Sequence, residues 1–147
     1  MKMYSLPKWD ELPNLDLYLD QVILYVNQTT YEKSAFTIKE LTSSMINNYV
    51  KHGYLGKPIK KKYHRHQIAR LIALTVLKKA FPIQEISYVL QKLQNDMTSE
   101  DLYNCFVDYW NTGNEIETPE IIIAACQTIK SYDKTMLLMS FNENNEE

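Results

Sequence analysis

Glycine is scarce in this chain of 147 residues, with three in all beside five prolines. A β-sandwich or barrel needs turn residues every ~10 positions, so such folds are disfavoured and helices favoured. Two cysteines, Cys105 and Cys126, exclude a disulfide scaffold and any zinc site built from cysteine alone. They fall on different expected helices without a CxxC spacing and read as buried apolar thiols. Long hydrophobic runs are also missing. The longest purely apolar stretch is 121–126, far short of the ~20 residues that span a bilayer. The N-terminus has no signal pattern. These absences lead us to expect a soluble, cytoplasmic chain with no membrane partner. There is no Walker loop, GxGxxG, nucleophile elbow or HExxH. Neither an enzyme nor a cofactor is therefore expected. His64 and His66 stand in an HxH spacing, but no acid is near them in sequence and His52 is the only other histidine. No metal site is expected.

One absence is local. No Asp or Glu occurs anywhere in 41–84, although the chain holds 18 acids. The same window carries Lys51, Lys57, Lys60, Lys61, Lys62, Arg65, Arg70, Lys78 and Lys79, and all three histidines. It is thus formally +9, and the rest of the chain is −11. A basic segment inside an acidic chain is the electrostatic footprint of a nucleic-acid contact, or of another acidic surface.

Hydrophobic residues make up 45% of the chain, enough for a core. Residues 1–13, with Pro7, Trp9 and Pro13, read as an irregular arm whose Trp9 packs on the body. Asn14 is a candidate cap for a helix over 15–27, with Leu15, Tyr18, Leu19, Val22, Tyr25 and Val26 on one face. Residues 28–36 read as a polar loop, and Thr37 as a cap for a short turn over 38–41. Thr42 or Ser43 opens a helix that stops at Gly53, a residue suited to the left-handed position. One face of that helix is Ile46, Tyr49 and Val50. The other is Ser44, Asn47, Asn48 and Lys51, which are side chains that read base edges and phosphates in a major groove.

Residues 54–64 combine Gly56, Pro58 and a three-lysine run, and read as a β-hairpin or extended wing able to lie over phosphates. A helix is expected over 65–79, with Ile68, Leu71, Ile72, Thr75 and Val76 inward. Phe81 and Pro82 break it, with Pro82 opening a helix over 83–93. Its buried stripe is Ile83, Ile86, Val89, Leu90 and Leu93. Thr98 and Asp101 resemble a capping box for a helix ending near Gly113. Thr118-Pro119 opens the last helix, where Ile122, Ala125, Ile129, Tyr132, Met136 and Met139 are spaced as an a/d seam. That seam serves internal packing or a homodimer. Residues 142–147 read as an acidic, frayed tail. Tyr88, Tyr103, Tyr109 and Trp110 are candidates to line a small-molecule effector pocket between the C-terminal helices.

The stretch 46–55, then Lys62-Tyr63, Ile68 to Leu77 and Phe81-Pro82-Ile83-Gln84-Glu85-Ile86, resembles the winged helix-turn-helix of the MerR-like superfamily. That resemblance implies a mainly α fold: a winged helix-turn-helix with a small β-wing and additional C-terminal helices. Asn47 and Asn48 stand where MerR proteins usually have arginine and tyrosine. The first helix of the motif is either 38–41, with a compressed turn, or the helix over 15–27. Across 4–93 the chain is also similar to an uncharacterised bacterial family of unknown function. The shared features are Leu6-Pro7, Trp9, Leu17-Tyr18-Leu19-Asp20-Gln21, Met45-Ile46-Asn47-Asn48-Tyr49-Val50-Lys51 and Lys61-Lys62-Tyr63.

Two parts are expected, 1–94 for DNA binding and 95–147 for packing, dimerisation or effector binding. The function these features imply is a transcriptional regulator that binds double-stranded DNA as a homodimer. The recognition helix over 43–52 places Ser44, Asn47 and Asn48 at bases. Lys51, Lys57, Lys60, Lys61, Lys62, Tyr63, Arg65 and Arg70 contact phosphates. The alternative is a protein–protein interaction module that retains the winged helix as a scaffold.

Overall fold

The computed structural model describes residues 4–31 and 40–145, with side chains described as far as Phe141. Its hub is the helix Arg65–Leu77, which is polar in its first turn and apolar from Ile68 onward but for Arg70 and Thr75, and which buries nine of its 13 residues. A helix so largely buried sits at the centre of a fold. In chain order the described elements are β1 (Leu17–Tyr18), α1 (Leu19–Thr29), α2 (Ser43–Lys51), β2 (Lys62–Tyr63), α3 (the hub), α4 (Ile83–Leu93), α5 (Ser99–Thr112) and α6 (Glu120–Asn145). A 3-10 turn at Trp9–Glu11 precedes them. Helices α1, α4, α5 and α6 all pack on α3.

The first helix begins four residues later than its apolar spacing predicts. Leu17–Tyr18 is extended and pairs antiparallel with Lys62–Tyr63, in register Leu17 to Tyr63 and Tyr18 to Lys62. Leu15, counted as part of the buried stripe, is 77% exposed. Asn14 does not cap the helix; its Oδ1 accepts from Arg65 Nη2 at 3.2 Å. The Gln21 side chain instead accepts from the Tyr18 N–H at 2.9 Å and closes the helix start. The expected turn at Thr37 and most of the loop over 28–36 lie outside the described residues. Leu41 is outside any helix or strand and is buried. Its N–H donates to Asn27 Oδ1 at 2.8 Å and its carbonyl accepts from Asn27 Nδ2 at 3.0 Å. One amide on α1 thereby fixes the chain entering α2, so α1 is the helix packed before α2 among the described residues.

Helix α3 stops at Leu77, and Pro82 precedes α4 as its cap rather than lying in its first turn. Thr98 Oγ1 accepts from Asp101 N–H at 3.1 Å to open α5, and Gly113 closes it at φ +76°. Helix α6 takes in residues 142–145 of the expected tail, and its 26 residues span ~39 Å.

The core runs across the expected divide at 94/95. The N-terminal arm lies on α5: Leu6 and Asn111 exchange two hydrogen bonds of 2.9 Å. Tyr103 O–H donates to Pro7 O at 2.7 Å, and Trp110 Nε1 donates to Tyr4 O at 2.8 Å. Trp9 packs as expected, its ring 6.2 Å from that of Tyr103. Residues of both parts share one apolar cluster.

Candidate nucleic-acid interface

Helix α2 is opened by Thr42, whose Oγ1 accepts from Met45 N–H at 3.2 Å. It is closed before Gly53, which takes φ +78°. Ile46 and Tyr49 are buried beneath it, and Lys78 Nζ lies 3.2 Å from the Tyr49 hydroxyl. The opposite face presents Ser44, Asn47, Asn48 and Lys51, all exposed. None of these four side chains is engaged by another described residue. The spacing read from the sequence and the observed faces agree here, because a two-sided helix on an apolar hub has only one way to lie.

The three-lysine run forms a hairpin. Ile59 and Lys62 exchange two backbone hydrogen bonds of 3.0 Å, closing a two-residue loop at Lys60 and Lys61. Both loop residues have positive φ, 51° and 67°. Such turns match the twist of the flanking strands and ordinarily call for Asn-Gly, since a Cβ in the left-handed region costs about 1 kcal/mol. Two lysines are held there nonetheless. The hairpin base is pinned by Gln67, which is 2% exposed. Gln67 Nε2 donates to Gly56 O at 2.9 Å and Lys57 O at 2.7 Å, and its Oε1 accepts from His64 N–H at 2.7 Å. Sequence reasoning missed this residue; its one local signal was an amide at the third position of the helix, able to reach back to the His64 N–H.

Of the expected phosphate contacts, Lys51, Lys57, Lys60 and Lys61 are exposed and form no ion pair among the described residues. Lys62 is half-buried, with Nζ 5.2 Å from the Tyr18 ring centroid. Two expected contacts, Tyr63 and Arg65, are corrected, and a third, Arg70, leaves the open surface for a recess. Tyr63 is 3% exposed and belongs to the core, where burial pushes its hydroxyl pKa up. Arg65 is turned inward, with Nη2 donating to Leu12 O at 3.4 Å and to Asn14. Arg70 is also turned inward. Its Nε donates to Tyr54 O at 3.3 Å, its Nη1 lies 3.5 Å from Gln94 Oε1, and desolvation lowers its pKa. Counting charges along a sequence cannot separate cations on the surface from cations that staple the fold.

The expected α6 seam is split. Ile122 and Ile129 are core residues, Ala125 and Met136 are half-buried, and Tyr132 and Met139 are exposed. The buried stripe is Ile122, Cys126, Ile129, Asp133 and Leu137. Asp133 sits in that stripe with its Oδ1 3.3 Å from the Nζ of Lys79, two residues past the end of α3. Burial pushes the Cys126 thiol up to about 12. The four aromatics do not line one pocket: Tyr109 and Trp110 are buried in packing, Tyr88 is exposed, and Tyr103 alone of the four lines a small cleft beside α3. An apolar groove of about 310 Å³ lies instead between α4 and α6, lined by Phe81, Ile86, Val89, Ile121 and Ala125 among others. His64 Nδ1 is 2.6 Å from Asp16 Oδ1, and its ring stacks on that of His66 with centroids 6.0 Å apart. No group of three or more metal-ligating side chains occurs among the described residues.

These features define a mainly helical protein with a small two-stranded antiparallel sheet. A two-sided helix and a lysine-tipped hairpin rise from its acid-free segment. Residues 7–110 match the family described as Domain of unknown function (DUF1836), and the chain belongs to that family. The match crosses the 94/95 divide and ends within α5, before α6. No curated protein and no solved structure matches the chain. No helix among the described residues is long and apolar enough to cross a membrane.

Proposed function

We propose that this protein binds double-stranded DNA and regulates transcription, using a winged helix-turn-helix of MerR-like type. Helices α1 and α2 are the motif pair and the hairpin over 59–62 is the wing. The observation that carries the reading is the hairpin tip. Lys60 and Lys61 occupy a strained turn at positive φ, and strain retained at an exposed cationic tip fits a contact made there. Helix α2 enters a major groove with Ser44, Asn47 and Asn48 at base edges, asparagine to adenine being the favoured pairing. Lys51, Lys57, Lys60, Lys61 and Lys62 neutralise phosphates. Engaging about five phosphates makes log K fall against log salt with a slope of about −4 to −5 per protomer.

The test is binding of purified protein to labelled genomic fragments, its own upstream region included, at two salt concentrations with excess competitor DNA. Binding to one fragment that survives competition, and is lost when Lys60, Lys61 and Lys62 are changed to Glu, is the expected result. A slope near zero removes the reading.

The proposal includes a homodimer, since paired half-sites raise affinity and specificity. The α6 surface left for it is Ile121, Tyr132, Leu138 and Met139, all exposed. That surface and the α4–α6 groove also favour the second reading, a protein–protein interaction module. Sedimentation separates the two: a dimer fits the regulator, and a monomer that ignores DNA fits the module.

A further inference from the structure

Arg70 lies where two recesses meet. One, of about 170 Å³, opens between the segment joining α2 to the hairpin (53–56), the first turns of α3 and the end of α4. The other is a cleft of about 40 Å³ running inward toward Leu102 and Phe106. His66, Arg70, Gln94 and Ser99 line both. The Arg70 guanidinium is half-buried, and its two protein partners are neutral, the Tyr54 carbonyl and the Gln94 side-chain oxygen. Desolvation alone lowers its pKa, with no acid acting on it. A cation drawn out of water with no counter-charge is costly unless an anion completes it.

The remaining lining is of donors. Gln94 Nε2 donates to Ser99 Oγ at 2.8 Å, which leaves the Ser99 hydroxyl proton free to donate outward. Ser99 is also the first residue of the 14-residue helix α5. First-turn amides have no intrahelical acceptor, and Thr98 takes up only that of Asp101. The positive end of the helix therefore adds to the field of Arg70. No Asp or Glu lines either recess, and Asp96, Glu100 and Asp101, the acids nearest in sequence, are exposed.

We infer that this recess is a binding site for a phosphate group, held by the Arg70 fork, the Ser99 hydroxyl and the first-turn amides of α5. Guanidinium suits a tetrahedral oxyanion because it offers two parallel donors as well as charge. The phosphate has two available sources. One wall of the recess is the chain leaving α2, so a backbone phosphate of DNA bound at α2 has a route to it past that rim. A free phosphomonoester reaches it from solvent. The inference does not depend on the proposed function, since phosphate alone tests it.

The experiment is an NMR titration of the full chain with sodium phosphate, against sodium chloride at matched ionic strength. Saturable shifts are expected at the Arg70 Nε–H, the Gln94 side-chain amide and the Ser99 and Glu100 backbone amides, and not with chloride. Arg70→Gln should abolish them, and Arg70→Lys should weaken binding about tenfold by losing the fork while keeping the charge. If Arg70→Gln does not fold, Ser99→Ala is read instead, with weaker saturable binding expected. Linear shifts equal to those with chloride overturn the site. So do shifts confined to Lys57–Lys61, or binding unchanged in Arg70→Gln or Ser99→Ala. A duplex is then added to the phosphate-loaded protein. Displacement of phosphate assigns the recess to the DNA backbone, and simultaneous binding assigns it to a free phosphomonoester; either supports the site. Failure of DNA binding itself is read separately, in the fragment assay, where the recess is intact.

Discussion

Two groups of cations leave the same acid-free segment and meet opposite fates. Lys51, Lys57, Lys60 and Lys61 stand exposed on α2 and the hairpin. Arg65, Arg70, Lys78 and Lys79 turn inward and tie the arm, the α2 exit, Tyr49 and Asp133 to the central helix. The difference is one of place, not of residue type. A cation on a hub helix that is buried on nearly every face must find an acceptor within the fold. One at a hairpin tip already has water. A basic stretch therefore overstates its own open binding surface: the outward half stands on it, and of the inward half Arg70 lines a recess.

Breaking the inward group should cost stability and spare electrostatics. Gln67 holds the hairpin to the hub, so Gln67→Ala, which strands two carbonyls and an N–H, should lower unfolding free energy by about 3 kcal/mol in urea titration. Lys79→Met should follow at about 2–3 kcal/mol, because it leaves the buried Asp133 carboxylate without this cation. A loss under 0.5 kcal/mol in either would dissolve the distinction between the two groups.

Breaking the outward group should do the reverse. Lys60→Glu with Lys61→Glu should reduce DNA affinity by about tenfold or more and flatten the salt slope by about 2. Unfolding free energy should shift by no more than about 0.5 kcal/mol.

The sharpest discriminator is Lys60→Asn with Lys61→Gly, which gives the turn the residues its positive φ values favour. Stability should rise by about 1 kcal/mol while the salt slope still flattens by about 2. A rise in stability with DNA binding unaltered would mean that the strained lysines are not at the contact.

A separate effect, confined to alkaline pH, concerns the dry side of α6. The neutral thiol of Cys126 is favoured in the folded state, so the unfolded chain loses that proton first as pH rises. Its contribution is fully present below the free-thiol value of 9.0 and is lost between there and about 12. Cys126→Ala should remove that part of the alkaline loss, as read by thermal melts across pH 8–11.

Much of the local structure was legible. The caps at Thr42 and Thr98, the stops at Gly53 and Gly113, the outward face of α2 and the bounds of α4 all follow from side chains acting on their own backbone within a turn or two. What misled was anything settled across the chain. Leu15 and Tyr18 continue a helical period, yet 17–18 became a strand because the edge of the hairpin offered backbone partners at Lys62 and Tyr63. The a/d spacing on α6 was real, but the stripe that faces inward is the adjacent one, with Cys126, Asp133 and Leu137 beside Ile122 and Ile129. The phosphate list lost Tyr63 and Arg65 to the same long-range packing, and Arg70 moved from the open surface into a recess.

The sequence by itself determined a helical protein with one acid-free basic segment and one two-sided helix within it. Those properties reside in periodicity, capping and formal charge, which are local sums over neighbours. Only the tertiary structure decided which cations remain free, that the lysine hairpin closes at positive φ, and that Arg70, Gln94 and the start of α5 converge on one recess. Burial and long-range hydrogen bonds fix those outcomes, and they depend on which surfaces meet when the chain closes around α3.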